Sequence, residues 1–162
     1  MNQGIHTVDL LLYLLGPVVR VSGLTATRVH KIEAEDTALA ILEFASGVVG
    51  TMEATTAAYP GQPRRLTIVG SAGSVTLEGD ALTVIGPGFS PAASGAPPEN
   101  ASSPLVSDFS AHQRIIEDFV DAVRCRRPPI CDGHEGRRSV EVVEAVYRSA
   151  REGVTVSVVG EQ

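Results

Sequence analysis

The middle of the chain is a succession of short segments rich in Val, Ile and Thr, and this pattern limits the fold more than any other feature. Each segment is bounded by Gly, Ser, Asp or Pro, and short turn sequences join several of them. The segments are residues 18–29, 37–44, 48–56, 66–69, 75–77 and 82–85. Turns this short join antiparallel neighbours, because parallel strands need long crossovers. The pattern therefore predicts an antiparallel meander.

Helical periodicity precedes this strand region. Apolar residues recur at helical spacing between Ile5 and Leu15, which predicts a first helix. Asn2 is a candidate N-cap, because its side chain can accept hydrogen bonds from the free amides of the first turn. Gly16 and Pro17 end the helix, since proline cannot continue it.

Helical periodicity also follows the strand region. The pattern from Phe109 to Val123 predicts a second helix with His112 on its buried, apolar side. The third helix is expected to end at Gly153, before a last strand at residues 154–158. Its inward positions are expected to be Val140, Val143, Val146, Tyr147 and Ala150.

Strands in one block and helices in another favour an α+β fold without a Rossmann domain. We expect residues 1–162 to form a single domain with an open, largely antiparallel sheet of about six or seven strands and helices covering one face. The segment 86–106, rich in Pro, Ser, Ala and Gly, is expected to be a flexible loop. The strand at 37–44 is apolar on both faces, which indicates a partner over the open face of the sheet.

Composition argues against several kinds of partner. A net charge of −6 and a pI of about 5.2 disfavour nucleic acid, because phosphate binding needs clustered basic residues. No segment approaches the roughly 20 apolar residues that span a bilayer, and we read no signal peptide. The two cysteines are then expected to be reduced thiols in a cytoplasmic protein.

Cofactor and metal motifs are missing from the sequence. No G-x-G-x-x-G lies between a strand and a helix, so we predict no dinucleotide cradle in this chain. His30, Glu33 and Asp36 are ligand types, but they lie in a polar connection before a strand. No His and Cys residues have the spacing of a zinc site, so we predict no metal site.

Polar residues instead cluster at the start of the first helix. Asn2 and His6 are four residues apart, which places them on one face of a helical turn. His6 can exchange a proton near neutral pH, whereas Asn2 can only hold a hydroxyl or carbonyl group. Asp9 either orients the imidazole or ties the helix to a neighbour. A capping Asn beside an ordinary helix His is the simpler interpretation of these residues alone.

The sequence NQGIHTVDLL at residues 2–11 resembles the second domain of the glucose–fructose oxidoreductase / inositol dehydrogenase / MocA-like (Gfo/Idh/MocA) family. The resemblance covers nearly the whole chain, and the order and spacing of its parts are specific. Its further parts are residues 35–38, Phe44 with Gly47, residues 59–61, 69–75, 112–123, 133–138 and 149–151.

The resemblance implies a function. In this family an N-terminal Rossmann domain binds NAD or NADP and carries a catalytic lysine, and a C-terminal α/β domain supplies the substrate pocket and the oligomer interface. This chain resembles the second part of a sugar or cyclitol oxidoreductase. It is therefore expected to need the missing Rossmann domain, to be inactive alone, and to form homodimers or tetramers through the open sheet face.

The resemblance also assigns residues. His6 matches the histidine that serves as acid/base, and Asn2 stands where the family pattern has an acid, so Asn2 is expected only to orient the substrate. Tyr59 and Arg64 are expected to contact the sugar-like substrate. The alternative is a stand-alone, non-catalytic module that dimerises through its open sheet or binds a small molecule.

Overall fold

The structure, a computed structural model, describes residues 1, 4–94 and 109–158. The chain divides into two compact units, residues 1–57 with 107–162, and residues 58–106. The elements in chain order are α1 (Gly4–Leu15), β1 (Val18–Ala26), β2 (Thr37–Phe44), β3 (Val49–Thr55), β4 (Arg65–Gly70), β5 (Gly73–Glu78), β6 (Ala81–Gly86), β7 (Phe89–Ser94), α2 (Ser110–Cys125), α3 (Gly133–Glu152) and β8 (Val156–Ser157).

The first unit is built on an antiparallel sheet with the strand order β3-β2-β1-β8. Val21 of β1 is paired with Leu42 of β2, and Ala40 is paired with Met52 of β3. Because paired residues point to the same face, these side chains form one layer, and all four are buried. This layer is the sheet side of the core, and it confirms the α+β class with an antiparallel sheet.

Helix α3 packs against this layer at very close range. The backbone N–H of Gly23 in β1 donates to the Ser149 hydroxyl at 2.8 Å. A Cβ atom added to Gly23 would lie 2.8 Å from the Val146 carbonyl oxygen, so only glycine permits this strand–helix distance. Val146 itself is fully buried, and helix α1 packs in turn against α3.

The buried face of α3 agrees with the predicted one at Val146 and differs from it at Val140. Its buried residues are Ser139, Val142, Ala145, Val146 and Ser149. Val140, expected inside, is 52% exposed. The two serines can be buried because each hydroxyl is hydrogen-bonded, Ser139 to Asp9 and Ser149 to the Val154 carbonyl. A search for apolar periodicity passes over such residues, which shifts the predicted face.

The opposite face of this sheet, called the open face below, carries apolar side chains that α3 does not cover. Leu24 and Leu39 are cross-strand partners, 57% and 40% exposed, and Ile41 beside them is 50% exposed. An ion pair of 3.2 Å between Arg20 and Glu43 lies on the same face. Strand β2 is thus apolar on both sides, as its sequence indicated. Within the described part of the chain, the side that faces the helices is buried and the side on the open face is exposed.

The second unit is a separate antiparallel sheet in the order β4-β5-β6-β7. The described chain therefore has eight strands in two four-stranded sheets, where the sequence indicated six or seven in one. The additional strand, β7, lies in the segment predicted to be a loop. Gly86 pairs with Phe89 across Pro87 and Gly88, and Gly88 has a φ of 82°, the usual geometry of a tight Pro-Gly turn. Residues 95–106 of that segment lie outside the described residues.

Helix α2 has its apolar side exposed. His112 was expected to be partly buried, but it is exposed, and so are the large apolar residues around it. Ala122 is the buried residue of this helix. Neither α2 nor any other helix among residues 1, 4–94 and 109–158 has the length and apolar character to cross a bilayer.

Candidate functional site

His6 lies in the first turn of α1 and is exposed to solvent. The other side of the helix holds it to the protein, because Val8, Leu11 and Leu12 are buried. The Ile5 N–H donates to the Met1 carbonyl at 3.1 Å, which starts the helical hydrogen bonds. The imidazole is therefore presented on a fixed helix end. Asn2 lies outside the described residues, so its role beside His6 stays a prediction.

Asp9 ties α1 to α3. Its Oδ1 atom accepts a hydrogen bond from the buried Ser139 hydroxyl at 2.9 Å. Of the two roles that the sequence left open for Asp9, the structure supports the tie to a neighbouring helix. The bond fixes the rotation of α1 about its axis, and with it the direction in which His6 points.

A second polar group, which the sequence did not predict, lies at the start of α1. The Tyr147 hydroxyl of α3 donates to Glu35 Oε1 at 2.7 Å. The amino group of Met1 contacts the same carboxylate and lies 3.2 Å from the Tyr147 hydroxyl oxygen. The Glu35–Tyr147 pair therefore joins α3 to the β1–β2 loop at the point where the chain enters α1.

The ionisation of this pair follows from its surroundings. Burial and the bond to Glu35 together raise the pKa of Tyr147 to about 12, so the phenol stays protonated and donates. Burial raises the pKa of Glu35, and the hydrogen bond from Tyr147 lowers it. In this pair the neutral phenol of Tyr147 donates a hydrogen bond to the ionised carboxylate of Glu35.

The Glu35–Tyr147 pair borders a shallow cavity of about 350 Å³ in the first unit. The other residues around it are Thr25, Ala26, Thr27, Glu33, Ala34 and Arg151. Hydroxyl, carboxylate and guanidinium groups surround this space, so it can hold a polar molecule or water. The sequence signals for it were Glu35 and Arg151 within the family resemblance and the predicted inward position of Tyr147.

Asp36 shapes the loop between β1 and β2. This buried residue accepts hydrogen bonds at Oδ2 from the backbone N–H groups of Val29 at 2.7 Å, Arg28 at 2.8 Å and His30 at 3.1 Å. These bonds, the one from Val29 first, lower the pKa of Asp36 to about 2 against the opposing effect of burial. Asp36 therefore orders the loop that carries Glu35.

Asp36→Asn is expected to lower the Tm at pH 7 by on the order of 5–10 °C, because an amide is a weaker acceptor than a carboxylate for three N–H groups. The native pKa lies below the ordinary value, so the carboxylate stabilises the fold above pH ~4 and loses this effect as the pH falls toward ~2. Thermal melts between pH 7 and 2 check this, with Glu33→Gln, an exposed carboxylate of the same loop, as the control. A variant whose acid-induced loss of Tm equals that of the wild type contradicts the assignment.

Tyr59 and Arg64 belong to the second unit. Tyr59 is 99% exposed, and Arg64 is exposed while its carbonyl accepts the Gly79 N–H at 2.8 Å. Neither side chain is fixed by packing, and their contact with substrate stays a prediction. In the described part of the chain, no cluster of three His, Cys, Asp or Glu residues could hold a metal ion.

The architecture of the first unit, a helix-backed antiparallel sheet, defines an α+β domain and differs from a dinucleotide-binding fold, whose strands are parallel. The chain belongs to the Gfo/Idh/MocA oxidoreductase family. A family model described as "Oxidoreductase family, C-terminal alpha/beta domain" matches residues 1–158.

Two dehydrogenases with named activities are similar in sequence to almost the whole of this chain. D-apiose dehydrogenase of Paraburkholderia graminis is 30% identical over 162 residues, which cover 96% of this chain and 43% of that protein. The NAD⁺-dependent scyllo-inositol 2-dehydrogenase of Bacillus subtilis is 28% identical over 169 residues, covering 96% of this chain and 46% of that protein. The chain therefore spans less than half the length of these relatives.

Solved structures of two oxidoreductases contain a domain with the same fold as this chain. The WlbA dehydrogenase of Bordetella pertussis, crystallised with NADH and UDP-GlcNAcA, is 33% identical and superimposes with a TM-score of 0.77. The match covers 99% of this chain and 46% of that enzyme. A second structure, an Agrobacterium radiobacter oxidoreductase with NAD⁺, L-tartaric acid and magnesium, gives a TM-score of 0.79 at 27% identity, covering 96% of this chain and 47% of that enzyme.

Proposed function

We propose that this chain is the substrate-binding and oligomerisation domain of an NAD(P)-dependent sugar or cyclitol oxidoreductase. The observation that carries the proposal is the exposed imidazole of His6 on the first turn of α1, whose other side is anchored by Val8, Leu11 and Leu12. Membership of the oxidoreductase family and the named activities of the relatives support the substrate class.

The described residues do not form a dinucleotide site. Both sheets are antiparallel, whereas the pyrophosphate of NAD is held where a parallel strand turns into a helix. Hydride acceptance is the chemistry of the nicotinamide cofactor, and we assign the binding of this cofactor to the half of the relatives' length that this chain lacks.

His6 has the chemistry for one half-reaction at the substrate. A neutral imidazole can take the proton of a sugar hydroxyl, and the imidazolium can return it in the reverse direction. The position of the ring depends on α1, and α1 depends on Asp9 with Ser139 for its orientation. Asn2 is assigned the orientation of the substrate, because an amide hydrogen-bonds a hydroxyl without taking its proton.

Cofactor titration tests the proposal. We define the complete polypeptide as this chain joined to the half that its relatives also carry. The complete polypeptide is expected to bind NADH or NADPH with saturation and to oxidise sugars or cyclitols, whereas the 162-residue chain is expected to do neither. Calorimetry or nicotinamide fluorescence measures the binding. Tight, saturable binding of NADH to the 162-residue chain would overturn the proposal.

A second candidate function is a stand-alone dimerisation or small-molecule-binding module in which no redox reaction occurs. The exposed apolar residues of the open face favour it, among them Leu24 and Ile41. The coding DNA before Met1 distinguishes the two candidates, since an open frame for a Gly-rich strand–turn–helix supports the oxidoreductase. We also propose a cytoplasmic location, supported by the two free, exposed cysteines Cys125 and Cys131.

A further inference from the structure

Helix α2 presents a line of large apolar side chains to solvent, called the α2 stripe below. Its members are Phe109 at the N-cap and, within the helix, Ile116, Phe119, Val120 and Val123, all of them exposed. They recur at the helical intervals of three, four and seven residues, so they lie along one side of the helix. Continuous apolar surfaces of this kind mark binding surfaces, because exposing them to water is unfavourable.

The side of α2 that meets the rest of the first unit is a different one. Ala122 is 3% exposed, and Asp118 is bound to the segment that precedes α3. Successive helical residues are rotated by about 100°, so Ile116 lies roughly 120° around the helix from Ala122. Phe119, the nearest member, lies roughly 60° from Ala122, and the stripe as a whole is therefore centred on a different side of the helix.

Hydrogen bonds join the last turns of α2 to the segment that follows the helix. The Asp118 carboxylate accepts from the Arg127 guanidinium at 2.7 Å and from the Ile130 N–H at 2.7 Å. At the end of the helix, the N–H of Arg127 also donates to the Ala122 carbonyl at 3.0 Å. These bonds join the last turns of α2 to the connection with α3.

We propose that the α2 stripe is the docking surface for the cofactor-binding half of the same polypeptide, an inference that rests on the proposed function. The relatives are more than twice as long as the matched region, which leaves a domain-sized segment to cover apolar surface. Each large side chain offers on the order of 100 Å², so the interface would bury about 1,000 Å² counted over both sides. That value lies within the roughly 600–1,500 Å² of contacts between domains of one chain.

A second copy of the chain is the other occupant to consider. Stable obligate dimers bury about 2,000 Å² or more, which is beyond what one helix side supplies. The open face of the sheet is broader, and it carries Arg20 and Glu43 as well as apolar residues. A two-fold interface uses one self-complementary surface on each copy, so the open face leaves the α2 stripe for a different partner.

Hydrogen exchange measures whether the stripe is covered. The amides of residues 112–123 are expected to exchange at least about 10-fold more slowly in the complete polypeptide than in the 162-residue chain, because docking suppresses local opening of the helix. Unchanged exchange in a complete polypeptide that binds NADH would overturn the docking inference and leave the proposed function intact. A complete polypeptide that binds no NADH but protects α2 would support docking and remove the proposed function.

Matched variants give an independent test. Ile116→Gln with Phe119→Gln is expected to lower the Tm of the complete polypeptide by on the order of 5 °C and to leave the Tm of the 162-residue chain nearly unchanged. The control is Arg114→Gln with Asp121→Asn on the polar side of the same helix, which should affect neither protein. An equal loss of Tm in both proteins would show that the stripe serves the first unit itself. If the stripe variant converts a dimer to a monomer, the α2 stripe is instead the contact surface between two copies of the chain. Either result would overturn the inference.

Discussion

In the complete polypeptide, replacement of His6 with alanine is expected to lower kcat by about 10²–10⁴-fold, the usual contribution of one general acid–base group. The proposed reaction requires removal of a hydroxyl proton as hydride leaves the neighbouring carbon. No other described histidine lies on α1, so no second imidazole of that helix can replace it. Steady-state kinetics with the preferred sugar or cyclitol measure the loss.

The structure separates this chemical effect from a folding effect. His6 is exposed, whereas the stability of α1 comes from Val8, Leu11 and Leu12 on its other side. The His6→Ala variant should therefore keep the Tm of the wild type and its affinity for NADH. His134→Ala is the matched control, an exposed histidine in the first turn of α3, and it should keep full turnover. Full turnover in the His6 variant would show that this histidine is only structural.

The second large effect concerns assembly. If the open face is the oligomer interface, Leu39→Glu with Ile41→Glu should weaken self-association by at least about 10³-fold, which corresponds to roughly 4 kcal/mol. A two-fold interface contains each substituted residue twice, once from each copy. Burying an unpaired carboxylate there is unfavourable, because the group loses its hydration. Light scattering at micromolar concentration should then report the mass of a monomer in place of an oligomer.

A control on another surface makes this result specific. Val140 lies on α3 and is 52% exposed, so Val140→Glu adds one charge to an apolar position outside the open face. This variant should keep the mass of the wild type. A wild-type protein that is monomeric at micromolar concentration, or a Leu39/Ile41 variant that keeps its oligomeric mass, would exclude the open face as the interface.

The elements with strong local signals were predictable. Helix α1 shows helical periodicity and a Gly-Pro stop, and strand β2 matches its predicted bounds at Thr37 and Phe44. Strand β7 was missed because Pro, Ser and Ala dominate its composition, although the Gly86-Pro87-Gly88 turn was a usable signal. Here the pairing with β6 outweighs the low strand propensity of the residues.

The polar interior was not predictable from periodicity. Burial of Ser139 depends on Asp9, 130 residues earlier in the chain, and the bond between Tyr147 and Glu35 spans 112 residues. Periodicity reports one element at a time, so it cannot identify a partner on another element. His6 was proposed because a motif was recognised, and its role stays a prediction, whereas the Glu35–Tyr147 pair required coordinates.

The close approach of Gly23 to α3 has a consequence for how this domain can diverge. A side chain at position 23 would meet the backbone oxygen of Val146, so trimming the valine side chain would not restore the fit. The helix would have to move outward, and through Ser139 and Asp9 it would carry the His6 helix with it. Homologues with a bulkier residue at this point should therefore show a wider gap between strand and helix and a displaced histidine at the position of His6.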